Sequence, residues 1–286
     1  MILVTGATGQ LGTAVINHLL KKTSANQVTA LVRDESKASA LKEKGVNICV
    51  GNYDDPASLD NAMQGIEIVL LIAGTDEENR LRQHQNVVDA AKNAGVQCIA
   101  YTSRNLKDPN TLVNKLMKGH FQTEDCIKAS GLNYILFRNV LYMDTIPQFV
   151  GAKVFDTGIN LPTERGRVAF ALRSEMGEAI ANVLLEGDRS NRIYQLTSSE
   201  SYSFEDVADT LSDLSGKKVD YISIEKSVFE SQMKERGVPE IMVQRVVGFL
   251  TDIKNGQEAK VSPDLENLLG RSPAELQEGL KVLFNL

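Results

Sequence analysis

The segment Ile2-Leu3-Val4-Thr5-Gly6-Ala7-Thr8-Gly9-Gln10-Leu11-Gly12 constrains this chain more than any other stretch. An apolar run leads into it, and Leu11, Val15 and Leu19 recur at helical spacing behind it, so the glycines lie on a strand-to-helix turn. Gly6 lets the chain leave the strand tightly, Gly9 lets backbone N–H groups approach a pyrophosphate, and Gly12 lets the helix pack close to the strand. Phosphates then sit on the helix N-terminus, where free N–H groups and the helix dipole favour an anion. The spacing is G-x-x-G-x-x-G, not G-x-G-x-x-G, which points to a particular branch of nicotinamide folds. Gly6, Thr8, Gly9, Gln10, Leu11 and Gly12 are thus candidates for holding a dinucleotide. The alternative is a glycine-rich turn with no ligand.

From residue 1 to about residue 140, short β-rich apolar runs alternate with amphipathic helical stretches, the pattern of repeated βαβ units around a parallel sheet. The pattern predicts strands at Ile2–Val4, Val28–Val32, Val46–Val50, Ile68–Ala73, Cys98–Thr102 and Tyr134–Arg138. Helices are expected at Leu11–Lys22, Ser36–Lys44, Pro56–Met63, Asn79–Asn93 and Leu116–Ala129. Gly45, Gly65, Gly95 and Gly131 each fall between a helix and the next strand, where a left-handed cap suits glycine.

Beyond residue 140 the rhythm loosens. Val168–Phe170, Ile193–Leu196 and Val219–Ile224 read as strands, and Glu175–Glu186 and Glu240–Lys254 as helices. Ser203 opens a capping box and Gly216 ends that helix, while Ser262-Pro263 and Ser272-Pro273 each place a cap before a proline, with Glu275 completing a box in the second. The expected architecture is α/β: a doubly wound parallel sheet of Rossmann type, residues 1–140, followed by a small α+β substrate subdomain, residues 141–286. That subdomain is expected to pack over the carboxyl ends of the strands.

Composition narrows the function classes. A net charge of −6 without a basic tract argues against a nucleic-acid surface. No apolar run approaches a membrane span and the first strand starts at Ile2, so a cytoplasmic location is expected. The three cysteines lack C-x-x-C spacing and read as buried free thiols, and no histidine or cysteine pair has metal-ligand spacing.

About twenty residues past the glycine loop, a chain for the unphosphorylated cofactor would carry Asp or Glu on the ribose 2′-hydroxyl. Arg33 stands there instead, directly after Val28–Val32. A guanidinium can hold a 2′-phosphate by charge-assisted hydrogen bonds, so NADP(H) is preferred over NAD(H), with Lys37 as a second cation in the same turn. The competing reading is a solvated arginine paired with Asp34 or Glu35.

Val4 to Gly12, Leu31-Val32-Arg33, Ala100-Tyr101-Thr102-Ser103, His120-Phe121-Gln122-Thr123-Glu124 and Phe137-Arg138-Asn139 together resemble the NmrA-like branch of the atypical short-chain dehydrogenase/reductases. Within it the chain is most similar to the type 2 NAD(P)H:quinone oxidoreductases and triphenylmethane dye reductases, and less so to nucleoside-diphosphate-sugar epimerases. The resemblance implies an NADP-binding fold and a hydride transfer to a small aromatic acceptor. It also implies further cofactor contacts at Ile72, Ala73, Gly74, Thr102, His120, Asn139 and Val140, and orienting roles for His120, Ser103 and Tyr142 around the reacting groups. For Ser103, turn capping is an equal alternative; for Tyr142, simple aromatic packing; for His120, a helix-surface position.

One departure is decisive for the chemistry. None of the seven tyrosines has a lysine four residues later, and Leu116 and His120 stand where the resemblance would put that pair. Alcohol oxidation and sugar epimerisation need such a phenol to move a hydroxyl proton. Hydride delivery to an electron-poor quinone or dye does not. The rival is an NADP(H)-binding redox sensor with little turnover. His84, at helical spacing with Leu81, Val88 and Ala91, reads as an interior histidine bonded to backbone, and His18 as a helix-boundary residue. The helix at Glu240–Lys254 carries an apolar face of Met242, Val246, Phe249, Leu250 and Ile253, widened by Val243 and Val247, suited to core packing, a pocket lid or a homodimer contact.

Overall fold

The structure, a computed structural model, describes residues 1–286. Strands β1 (Ile2–Val4), β2 (Val28–Val32), β3 (Asn47–Val50), β4 (Ile68–Leu71), β5 (Cys98–Arg104) and β6 (Asn133–Asn139) alternate with helices α1 (Gln10–Leu19), α2 (Ser39–Glu43), α3 (Pro56–Ala62), α4 (Arg80–Asn93) and α5 (Lys115–Ala129). There follow α6 (Ile146–Val150), α7 (Val154–Thr157), β7 (Ile159–Leu161), β8 (Arg167–Val168), α8 (Arg173–Leu185) and β9 (Arg192–Leu196). The chain ends with β10 (Tyr202–Ser203), α9 (Phe204–Ser215), β11 (Tyr221–Ser223), α10 (Lys226–Glu235), α11 (Glu240–Lys254), α12 (Asp264–Leu269) and α13 (Leu276–Phe284).

The main sheet has the order β3-β2-β1-β4-β5-β6-β9, and β1 to β6 pair in parallel. Its order reverses between β1 and β4, the switch point at which open α/β sheets receive ligands. Every residue of β1, β2 and β4 is buried, as expected of parallel strands covered on both faces. One face carries Leu3, Leu31, Val69, Leu71, Ile99 and Leu136, packed with Leu59 and Met63 of the α3 region and Val87, Val88 and Ala91 of α4. Elsewhere Gly177 of α8 lies so close to α1 that a Cβ there would stand 2.7 Å from the Ala14 Cβ. The doubly wound architecture is therefore the one expected.

The chain divides into two compact units, Met1–Arg104 with Gly119–Asn139 and Arg173–Tyr194, and Asn105–Lys118 with Val140–Leu172 and Gln195–Leu286. The first holds nearly all of the sheet. The second carries two small ribbons, β10 antiparallel to β8 and β11 parallel to β7.

Several boundaries differ from the expected ones for identifiable reasons. Strand β4 stops at Leu71 because the Ile72 and Ala73 N–H groups donate to the side chains of Thr5 and Thr102 rather than to a ladder. The stretch at Ser36–Lys44 is a 3₁₀ turn over Glu35–Ala38 and then the short α2, because the Asp34 carboxylate accepts from Ser36 N–H and caps the turn. Strand β8 ends at Val168, since the Ala169 N–H turns to the Glu258 carbonyl. Helix α13 starts at Leu276, not Pro273: Glu275 is its cap and forms a box with Glu278, while the Ser272 hydroxyl donates to Glu266. Pro263 caps α12 where Ser262 was expected to. In α11 the buried apolar stripe is Val243, Val247, Leu250 and Ile253, leaving Met242 40% exposed, so Met242 belongs to the outer face. Cys98 is buried, but Cys49 and Cys126 are only half-buried, in part correcting the expectation for the thiols.

Candidate cofactor site at the switch point

The glycine loop has the conformation its residues dictate. Gly6 adopts φ +57°, a left-handed turn that side chains with a Cβ rarely accept. A Cβ on Gly12 would fall 2.3 Å from the Gly6 carbonyl oxygen, so only glycine lets α1 start this close to the turn. Gly9 caps α1 with no side-chain acceptor, and Gly6, Thr8, Gly9 and Gln10 are exposed, whereas Leu11 and Gly12 are buried beneath them. The result is an open backbone cradle at a helix N-terminus, and its donor set fits a pyrophosphate.

Arg33 is exposed at the end of β2. The two acids proposed as its alternative partners are engaged elsewhere: Asp34 accepts from Ser36 N–H (3.0 Å) and Ser36 Oγ (2.7 Å), and Glu35 pairs with Lys42 at 3.0 Å. Lys37 is exposed in the same turn and lowers the Asp34 pKa, behind the larger effect of the Ser36 hydrogen bonds.

Across the switch point, Ile72-Ala73-Gly74 forms a half-buried shelf after β4. Side chains from other elements fix each of its N–H groups. Ile72 N–H donates to Thr5 Oγ1 (2.9 Å), Ala73 N–H to Thr102 Oγ1 (2.9 Å) and Gly74 N–H to His84 Nε2 (3.1 Å). Tyr53 Oη lies 2.9 Å from the Ile72 carbonyl oxygen and also bonds Thr5 Oγ1, and Arg80 Nε donates to the Gly74 carbonyl at 2.7 Å.

Thr102 and Ser103 are buried at the end of β5. The Ser103 hydroxyl donates to Glu124 Oε1 at 2.6 Å, and the same carboxylate takes Arg138 Nε at 2.9 Å, Arg138 Nη2 at 2.6 Å and Lys128 Nζ at 3.1 Å. Burial pushes the Glu124 carboxyl up, but hydrogen bonds from Arg138 and Ser103 outweigh it and hold its pKa below the ordinary value. Ser103 thus sits in a charged brace joining β5, α5 and β6.

His120, expected either at the nicotinamide ribose or on the helix surface, is 6% exposed, so the surface position is excluded. Its Nδ1 lies 3.0 Å from the hydroxyl of Tyr101, which is fully buried. Burial, reinforced by the Arg80 and Arg104 guanidinium charges, holds the His120 pKa well below its ordinary value, and burial raises that of Tyr101. A neutral imidazole and an un-ionised phenol face each other here, from α5 and β5, a pairing that no sequence spacing could reveal. Leu116 is buried on the same helix.

His84 is fully buried, bonded to the Gly74 backbone, and its pKa falls from the ordinary 6.5 to about 3, first through burial and then through the Arg80 charge. Asn139 ends β6, fully buried. In the second unit, the Val140 N–H donates to the Leu196 carbonyl at 3.1 Å, and Tyr142 is half-buried beside Ala171. No group of three or more His, Cys, Asp or Glu side chains is placed to hold a metal ion. Sequence reading missed the supporting side chains Thr5, Tyr53, Arg80 and Glu124. The one signal available was the i, i+3, i+4 spacing of His120, Thr123 and Glu124, three polar residues on one buried face of α5.

Comparison with known proteins identifies relatives of the whole chain. The family model described as the NmrA-like family matches residues 1–281. Quinone oxidoreductase 2 of Escherichia coli is 34% identical over 287 residues, covering 100% of this chain and 99% of that protein. The crystal structure of the E. coli NADPH-dependent quinone oxidoreductase complexed with NADPH superposes with a TM-score of 0.94 at 33% identity, covering 100% of both chains. The Citrobacter sp. triphenylmethane reductase complexed with NADP(H) gives a TM-score of 0.92 at 36% identity, covering 99% of this chain and 100% of that one.

Proposed function

We propose that this chain, which belongs to the NmrA-like family, is an NADPH-dependent reductase that delivers hydride to a quinone or a related electron-poor aromatic acceptor. The observation that carries the cofactor reading is Arg33, an exposed guanidinium at the end of β2 whose acidic neighbours are committed to Ser36 and Lys42. It is positioned to take a 2′-phosphate, where a carboxylate would repel one. The glycine cradle and the N-terminus of α1 would hold the pyrophosphate, and the shelf Ile72-Ala73-Gly74 with Thr102 would face the nicotinamide half.

Bound NADPH would supply the hydride from its nicotinamide ring. The chain's own residues orient the partners and keep their protons. His120 is held neutral and bonded to Tyr101, Leu116 has no exchangeable proton, and the Ser103 hydroxyl is committed to Glu124. A quinone needs no side-chain base at the reacting centre, and solvent can protonate the product, so proximity and orientation are the protein's main contributions. Similarity over the whole length to a quinone oxidoreductase and a triphenylmethane reductase supports the same acceptor class.

The test mixes purified protein with NADPH or NADH and a panel of benzoquinones, naphthoquinones and cationic dyes, following loss of the reduced nicotinamide absorbance. Saturable turnover that favours NADPH supports the reading. Tight NADPH binding with no turnover on any acceptor would replace it with a cofactor-sensing role.

A further inference from the structure

The shelf after β4 is irregular backbone, yet it is as firmly tied as a strand. Its three N–H groups end on Thr5, just past β1, on Thr102 of β5 and on His84 of α4. Thr5 and Thr102 lie at strand ends, where a hydroxyl comes cheaply. His84 does not: it is a fully buried imidazole on a helix whose buried face runs from Arg80 and Gln83 to Val87, Val88 and Ala91. Its partners fix its tautomer. A backbone N–H can only donate, so Nε2 accepts from Gly74 and the proton resides on Nδ1, which donates to Thr123 Oγ1 at 2.9 Å. The Thr123 hydroxyl in turn donates to the Gly119 carbonyl at 3.0 Å. The rings of Tyr53 and Tyr101 pack edge-on against the imidazole at 6.0 and 5.5 Å, so it has no room to swing away. The Gly74 peptide is thus gripped on both sides, its N–H by His84 and its carbonyl by Arg80.

We propose that His84 is a positioning residue that, through Nε2, sets the orientation of the Gly74 peptide in which the shelf receives the nicotinamide half of the cofactor. This rests on the NADPH reading above. An aromatic residue would fill much the same interior volume, but it would leave the half-buried Gly74 N–H without its acceptor and free the shelf to rotate. The relay through Thr123 explains why two polar residues on α4 and α5 face each other in the interior.

Three variants separate the roles of the two ring nitrogens. His84→Phe keeps the ring and removes both, His84→Gln keeps an acceptor within reach of Gly74, and His84→Asn keeps only the donor toward Thr123. Titration calorimetry with NADPH and with 2′,5′-ADP, the adenosine half alone, is read beside hydrogen exchange at the Gly74 amide of the free protein. For His84→Phe the expected result is about tenfold weaker NADPH binding, 2′,5′-ADP binding unchanged within about twofold, and Gly74 exchange faster by about tenfold. His84→Gln stays within about threefold of the wild type for NADPH, and His84→Asn behaves like His84→Phe. Equal NADPH affinity in all proteins overturns the proposal, as does a loss of both ligands in parallel. If His84→Phe does not fold, the Gln and Asn proteins decide: equal affinity in the two overturns it. A wild type that binds neither ligand overturns the cofactor reading itself, an outcome seen before any variant is made.

Discussion

Replacing Arg33 with alanine removes the cation proposed to take the 2′-phosphate at the end of β2 and leaves Lys37 in the same turn. A hydrogen bond to a charged group contributes about 1.5–3 kcal/mol. Arg33 is exposed and held by neither Asp34 nor Glu35, so engaging a phosphate costs it no existing ion pair but does require ordering a long side chain, about 1–2 kcal/mol. The net effect is about 1 kcal/mol, or roughly fivefold in NADPH affinity. NADH, which lacks the 2′-phosphate, loses almost nothing. Calorimetric or fluorescence titration of both cofactors against both proteins gives the four constants needed. Because the term is electrostatic at an exposed site, the wild-type preference for NADPH also shrinks as salt is raised, while that of Arg33→Ala is already small. Equal losses for NADPH and NADH, or a preference that survives the substitution, would refute the assignment.

Three further outcomes follow from the geometry. Gly12→Ala drives a methyl group against the Gly6 carbonyl, where a Cβ would stand at 2.3 Å, and is expected to weaken NADPH binding by at least about tenfold and to destabilise the fold by about 1–3 kcal/mol, both measured on the same preparation by titration and urea unfolding. Glu124→Gln leaves Arg138 and Lys128 without their shared carboxylate; breaking a buried pair costs about 3–5 kcal/mol, and because those two side chains are 29% and 35% exposed, about 2–3 kcal/mol is expected in urea unfolding, with no change telling against the brace. Acid sensitivity should track the buried imidazoles. The folded pKa of His84 lies at about 3, below its unfolded 6.5, and that of His120 is likewise depressed, so the unfolded chain binds more protons and stability falls as pH drops below about 6.5. Each contributes a slope of up to about 1.4 kcal/mol per pH unit, and His84→Gln should remove one share of it; an unchanged slope contradicts the buried neutral state.

Much of the sheet was legible because strand and helix periods announce themselves over several residues. Leu3 and Val4, Val69 and Leu70, and the glycines after α2, α3, α4 and α5 follow from local chemistry; Gly45 and Gly131 both adopt φ +81°. Boundaries moved where a side chain took over a backbone group, a distant one at Ala73, where Thr102 accepts, and a local one at Glu275, where Glu278 completes the capping box. The site divided along the same line. Arg33 and the glycines are contiguous with their strands and could be read directly. Tyr101 and His120 are nineteen residues apart and on different elements, so only the folded chain shows them bonded. The shelf's support by Tyr53, His84 and Arg80 was hidden for the same reason, although the interior position of His84 followed from its spacing on α4.

The central claim, hydride delivery from NADPH without a proton donor from the protein, is tested most directly by the pH dependence of kcat with a quinone acceptor, measured with NADPH and with NADPH deuterated at the transferring position. With His120 neutral and Tyr101 un-ionised, kcat is expected to stay flat from about pH 6 to pH 9, with a primary isotope effect of about 2 or more throughout. A limb in that range that vanishes in His120→Gln would contradict it.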